Sequence, residues 1–283
     1  MDLTISIVNW NVKDYLKKCL SSIERHAGFL NYEVIVVDNA SRDGSVAMLK
    51  EEFPQVKVIE NKENVGYGSA HNQAIPLARG EFILFLNPDT EMLPETLPRA
   101  VEFMKIYPRA AALLCREIGD GRPTDETVLV MSGFGKFLWF LSQRIQSVWP
   151  NRWTAGYIVD RVVQAHRNAM QGYVFGRKEL ISENGFVFSR QEYIEGGFLM
   201  VRHQAIKEAG QFDPKFFLCE EGYDLTSRFK KNNWELYYLV NVRVIHYGSK
   251  CSDGISDNDL IRMEDEWRKK LRVDGGGEVK RYF

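Results

Sequence analysis

Nothing in this sequence approaches the ~18 consecutive apolar residues that would span a membrane. Cysteine is scarce and scattered. Cys19, Cys115, Cys219 and Cys251 form no CxxC pair, which leaves zinc ribbons and dithiol redox motifs unsupported, and reduced thiols are expected. The net charge is only −1, so no global field favours nucleic acid, and none is expected as a partner. GxGxxG, the P-loop pattern, the serine nucleophile elbow and HExxH are all missing. The chain enters "LTISIVNW" without a basic start or a small-residue cleavage site. No signal peptide is therefore expected, and the sequon Asn39-Ala40-Ser41 is read as chance. These absences point to a cytoplasmic protein.

What is present is a globular composition, 45% hydrophobic and 27% charged over 283 residues, enough for one large domain or two small ones. The first part alternates. Leu3 to Trp10, "EVIVVDNAS", "VKVIEN", "GEFILFLN" and "AALLC" read as five strands. Between them Leu16, Cys19, Leu20 and Ile23 repeat at helical spacing, as do Leu97, Val101 and Met104. Val46, Leu49 and Phe53 suit a short helix, and residues 66 to 79 are helical in pattern. Strands alternating with helices predict an α/β fold with a Rossmann-type, mostly parallel sheet flanked by helices. Right-handed crossovers gather the loops after the strands on one edge, where ligands of such sheets bind.

That edge is rich in polar residues. The strands end at Asn9-Trp10-Asn11, at Asp38-Asn39-Ala40-Ser41 and at Asn87-Pro88-Asp89, and the third leads into Asn64-Val65-Gly66. Such residues also favour turns and caps, so each end alone says little; four in succession converge on one place. Asp38 sits where a strand end can bond a base or ribose. Asp89 sits where a divalent cation, Mg²⁺ or Mn²⁺, would bridge phosphates with only one or two protein ligands.

A second block begins after residue 116. "EGGFLMVRHQAI" reads as two glycines, a strand and a helix start. Leu225 and Phe229 then mark a helix, and "ELYYLVNVRVIHYGS" gives one or two strands ending at His246. Glu220, Glu221 and Asp224 form an acidic cluster that would supply a general base or cap the helix that follows. His246 is either a ligand or a satisfied structural histidine. Residues 133–150, "GFGKFLWFLSQRIQSVWP", are aromatic-rich with Lys136 and Arg144 among them. They read as an ordinary buried helix, or as an interfacial one making peripheral contact with the inner face of the membrane or with a lipid-linked substrate.

"SIVNWN" followed by "LKKCLSSI", then "VVDNASRDGS", "NVGYGSAHNQAI" and "FILFLNPDT", resembles the first half of an inverting, family 2, GT-A-type glycosyltransferase. "GGFLMVRHQAIKEAGQFDPKFFLCEEGYDL" and "VIHYGS" resemble the second half, nearest to the rhamnosyltransferase-like branch of bacterial polysaccharide synthesis. The similarity runs from about residue 3 to 250. It implies a nucleotide-sugar-binding half over 1–115, an acceptor-binding half over 116–250, and a C-terminal extension over 251–283. It further implies a nucleoside diphosphate sugar as donor, a saccharide or lipid-linked saccharide as acceptor, and a divalent cation.

Carried over by position, Asn9 and Asp38 contact the nucleoside, with Asn39 and Ser41 beside them, and Asn64, Gly66 and Asn72 line the nucleotide. Asn87-Pro88-Asp89 stands at the family's DxD position, which makes Asp89 the main metal ligand, and His246 joins the metal or diphosphate. Gly196 and Gly197 precede the acceptor-side strand. The chain departs from the pattern at the base. An ungapped count puts Glu221 on the expected glutamate and Gly222 on the expected aspartate. Glu221 is then the favoured base, Glu220 the next, and Asp224 closes the motif. Two other readings stay open. One is a sugar nucleotidyltransferase, which would want a basic Gly-rich loop where this chain has "NWNVKDY". The other is a non-catalytic nucleotide-sugar-binding protein, motivated by Gly222.

Overall fold

The computed structural model describes residues 1–119, 180–192, 194–218 and 221–248, all within one compact unit. The aromatic segment 133–150, Glu220 and the tail 251–283 lie outside the described residues.

The first half is a run of β/α units. Strand β1 (Leu3–Asn9) is buried at every position, as a central parallel strand covered on both faces must be. Helix α1 (Lys13–His26) turns Leu16, Cys19, Leu20 and Ile23 to the core and leaves Lys17, Lys18 and Glu24 exposed. Arg25 and His26 stand in its last turn, where positive charge suits the helix dipole. β2 (Tyr32–Asp38) leads to α2 (Ser45–Glu52), entered through Gly44 at φ +85°. Asp43 accepts the backbone N–H of Ser45 at 3.0 Å and that of Lys13 at 2.7 Å, tying the starts of α2 and α1 together. β3 (Lys57–Glu60) and α3 (Tyr67–Ala74) follow, and a 3₁₀ turn containing Pro76 ends that helix.

β4 (Phe82–Leu86) is the predicted apolar strand, and all five residues are buried. After it come β5 (Thr90–Met92), α4 (Thr96–Ile106) and β6 (Ala110–Ile118). The remaining elements are the hairpin β7 (Ile181–Glu183) and β8 (Phe186–Gln191), then β9 (Phe198–Arg202), α5 (His203–Ala209), α6 (Glu221–Lys231) and β10 (Glu235–His246). Phe103 of α4 packs edge-on against Phe186, Phe188 and Tyr237, closing the core under the hairpin.

The architecture is α/β, and the sheet is mixed. Its order is β3-β2-β1-β4-β9-β6-β10-β8-β7, with β5 on β10. β1 to β4 are mutually parallel, whereas β9 runs antiparallel between β4 and β6. An antiparallel strand begins at the edge where its parallel neighbours end. The glycines before β9 therefore lie on the same edge as the carboxyl ends of β1, β2, β4, β6 and β10, and residues far apart in sequence share that edge.

Candidate active site

At the ends of β1 and β2 the side chains lock onto one another. Asn9 Nδ2 donates to Asp38 Oδ1 at 2.8 Å and to Ser41 Oγ at 3.1 Å, while the Ser41 backbone N–H donates to Asp38 Oδ2 at 2.8 Å. Asn9 and Asp38 are buried. Asn9 Oδ1 is also buried and has no hydrogen-bond partner among the described residues, so an acceptor at this edge remains for a donor group. The neighbouring loop is equally bound. Asn39 Nδ2 donates to Asn64 Oδ1 at 3.0 Å and to Gly66 O at 3.3 Å, and Asn64 Oδ1 accepts the Gly66 N–H at 2.9 Å. Gly66 adopts φ +84°, and a Cβ there would lie 2.6 Å from Phe217 O, so both the conformation and the space require glycine.

Asn72 is a clamp. Its amide donates to Phe212 O at 2.8 Å and accepts the Phe212 N–H at 3.0 Å, which fixes the loop leading to α6 against α3. Both its amide oxygen and its amide nitrogen thus engage the Phe212 backbone.

The acidic centre lies where β4, β6, β9 and β10 meet. Asp89 is buried, and its Oδ1 lies 3.3 Å from His246 Nε2. The other ring nitrogen, Nδ1, lies 2.5 Å from Glu117 Oε2. Glu117 Oε1 accepts the Gly197 N–H at 2.7 Å, and Gly197 O accepts the Asn87 N–H at 2.8 Å. Asn87 Nδ2 stands 3.2 Å from His246 Nε2, so Asn87 supports the histidine. Burial disfavours the charged ring, but hydrogen bonds to Asp89 and Glu117 outweigh it and push His246 up to about 10. A Cβ on Gly197 would fall 2.7 Å from His246 Cε1, so the ring rests where only glycine lets it rest.

These residues fit a hard divalent cation. Asp89 offers a buried carboxylate oxygen, and Glu117 fixes the imidazole so that Nε2 faces the same point, as the outer partner of a histidine ligand does. Sequence reasoning misses Glu117. A signal for it exists: a carboxylate near the carboxyl end of a buried strand, as at Asp38, once that strand is taken on to Ile118 instead of stopping at Cys115.

On α6 the expected acids separate. Asp224 pairs with Arg228, whose Nη2 and Nε lie 2.8 and 3.0 Å from Asp224 Oδ2. Arg228 also donates to Ala209 O and Gln211 O, so the Asp224–Arg228 pair anchors α6 to the end of α5. Glu221 is buried, and its Cβ faces Gly68 of α3.

Residues 4–158, more than half of the chain, match the family model for glycosyl transferase family 2. The chain belongs to this family. Along 87% of its length it is 25% identical to 76% of the N-acetylglucosaminyl-diphospho-decaprenol L-rhamnosyltransferase of Mycobacterium tuberculosis. Its fold matches S. aureus TarS 1-349 in complex with UDP-GlcNAc, with a TM-score of 0.58, 19% identity, and coverage of 94% of this chain and 66% of that one. It also matches the mannosyltransferase PcManGT of Pyrobaculum calidifontis in complex with GDP-Man and Mn²⁺, with a TM-score of 0.56, 14% identity, and coverage of 98% and 65%. This family 2 glycosyltransferase therefore has the GT-A-like fold that its motifs imply.

Proposed function

We propose that this glycosyltransferase moves a hexosyl or deoxyhexosyl group from a nucleoside diphosphate sugar to an acceptor hydroxyl, with inversion, in the assembly of a bacterial cell-surface polysaccharide. One observation carries the reading: Asp89 and His246 face the same point, 3.3 Å apart, on the sheet edge that also carries the Asn9–Asp38–Ser41 network. The first is suited to a diphosphate and its cation, the second to a nucleoside.

In this reading Asp38 and Asn9 hold the base or ribose, and Asn39, Ser41, Asn64 and Gly66 form the wall. Asp89 and His246 hold Mg²⁺ or Mn²⁺, which supplies positive charge beside the diphosphate when bound. Glu117 keeps the imidazole oriented, Asn87 flanks it, and Asn72 fixes the loop that closes the donor side. The half over 1–115 serves the donor and the half over 116–250 the acceptor. The mycobacterial relative's name supports a lipid-linked saccharide as the acceptor class and a deoxyhexose as one donor class. A nucleotide donor suits the cytoplasmic side. Among the described residues no helix is long and apolar enough to cross a membrane. Any peripheral contact is assigned to residues 133–150.

The test is a thermal-shift panel of UDP-, dTDP- and GDP-sugars, each with and without Mn²⁺. A ligand that binds only the folded state raises the melting temperature by mass action. Metal-dependent stabilisation by one nucleotide class is expected. A chain indifferent to every donor would overturn the reading.

A further inference from the structure

The loop from Ile194 to Gly197 is held at both ends, and Glu195 stands between the clamps. At one end the Ile194 N–H donates to Thr226 Oγ1 at 3.3 Å, and the same hydroxyl lies 3.2 Å from Ile194 O. Thr226 is fully buried and sits one turn of α6 beyond Gly222, whose carbonyl oxygen it meets at 2.9 Å. At the other end the Gly197 N–H is bound by Glu117, and Gly197 O by the Asn87 N–H. Only Gly196 therefore separates Glu195 from the Gly197 backbone that bonds Glu117 and Asn87. Glu195 is an exposed residue.

Gly222 completes the arrangement. A Cβ built on it would lie 3.0 Å from Glu195 Cγ, 3.3 Å from its Cβ and 3.4 Å from its Cδ. The glycine leaves open the slot along which Glu195 lies, and an aspartate there would contend for the same space. Glu221, the neighbour favoured on sequence grounds, is buried on the α3 side. A base must come within hydrogen-bond reach of the acceptor hydroxyl. Glu195, exposed on a loop bonded at Ile194 and Gly197, is open to an acceptor arriving from solvent where Glu221 is buried.

We propose that Glu195 is the catalytic residue that takes the acceptor's proton, standing in for the aspartate expected at position 222. The inference rests on the transferase reading above. The acceptor oxygen forms a bond to the anomeric carbon as the bond from that carbon to the diphosphate oxygen breaks. The electron pair leaves with the nucleoside diphosphate, and the hydroxyl proton passes to the Glu195 carboxylate.

The experiment uses the full chain and the sugar nucleotide that gives the metal-dependent thermal shift. The acceptor probe is a synthetic N-acetylglucosaminyl-diphospho-lipid, alongside simple mono- and disaccharides. Release of nucleoside diphosphate and formation of product are followed for the wild type, Glu195→Gln, Glu221→Gln and Glu192→Gln. Glu195→Gln is expected to lower kcat by ~100-fold or more while keeping the donor-induced shift. Glu192→Gln, an exposed neighbour, should leave the rate unchanged. In a Glu195→Ala background, Gly222→Asp should restore part of the lost rate, a gain that a purely structural role would not give. A wild-type rate in Glu195→Gln would overturn the proposal, as would loss of activity on Glu221→Gln with Glu195→Gln unaffected. If the wild type binds donor yet transfers to no acceptor, the transferase reading falls first and Glu195 with it.

Discussion

Glu117 Oε2 lies 2.5 Å from His246 Nδ1, joining the ends of two neighbouring strands across 129 residues of sequence. The contact decides which nitrogen is presented to Asp89. With Nδ1–H donated to Glu117, a neutral ring turns the Nε2 lone pair toward Asp89 Oδ1, 3.3 Å away. Without a cation, the protonated ring bridges both carboxylates. The same carboxylate fixes the Gly197 N–H, so one buried acid orders both the ring and the start of β9.

Glu117→Gln tests this directly. The amide oxygen still accepts the Gly197 N–H, but the NH₂ group now faces Nδ1 and forces the proton onto Nε2. Metal affinity is expected to fall ~10- to 100-fold with the fold intact, the usual effect of losing an outer partner. Mn²⁺ titration of the donor-induced thermal shift reads it.

Asp89→Ala should abolish metal-dependent transfer and leave the protein folded. Its backbone carbonyl, which accepts the Tyr247 N–H at 2.9 Å, is untouched, so β5 stays joined to β10. Activity assays with and without added Mn²⁺ check the first point, and circular dichroism the second. Unchanged activity would remove Asp89 from the site.

Acid should destabilise the protein through two buried groups. Burial pushes His71 down from 6.5 to about 3; its Nδ1 meets Ser6 Oγ at 2.7 Å, and Tyr67 and Phe85 pack on its ring. The unfolded chain protonates this histidine near pH 6.5 and the folded chain only near 3. Stability is therefore lost as pH falls across that window, by up to about 1.4 kcal/mol per pH unit. Burial would raise Glu33, but hydrogen bonds from Lys57, Arg79 and Thr4 prevail and hold it at about 2, against 4.5 ordinarily. Its contribution is complete above 4.5 and lost as pH falls toward 2. Melting temperature against pH should show both losses. Replacing Ser6 and His71 together by Ala and Leu should flatten the upper one.

Gly66→Ala should weaken donor binding and stability together. The new methyl would sit in a left-handed backbone 2.6 Å from Phe217 O, the atom that accepts the Tyr67 N–H at 2.9 Å at the start of α3. A loss of about 1–3 kcal/mol in urea unfolding is expected. A wild-type midpoint would mean that the loop yields.

Much of the polar edge proposed to hold the donor is legible in the amino-acid sequence. Asn9, Asp38, Ser41, Asn64 and Asp89 follow closely on strand-forming runs, and strand period plus chain direction put such residues on one edge. The short strand β5 and the hairpin β7–β8 are not legible there, because three-residue strands such as β5 and β7 carry too little periodicity to register. Among the described residues Cys19 and Cys115 are buried, and burial pushes Cys19 up to about 12.

The sequence by itself determined the α/β alternation and the polar strand ends, because period and turn chemistry are properties of neighbouring residues. The tertiary structure alone decided that β9 enters antiparallel between β4 and β6. From that placement follow the meeting of Asp89, Glu117, Gly197 and His246, and the seating of Glu195 against Gly222. Those contacts depend on which strands lie side by side, and local pattern carries no record of it.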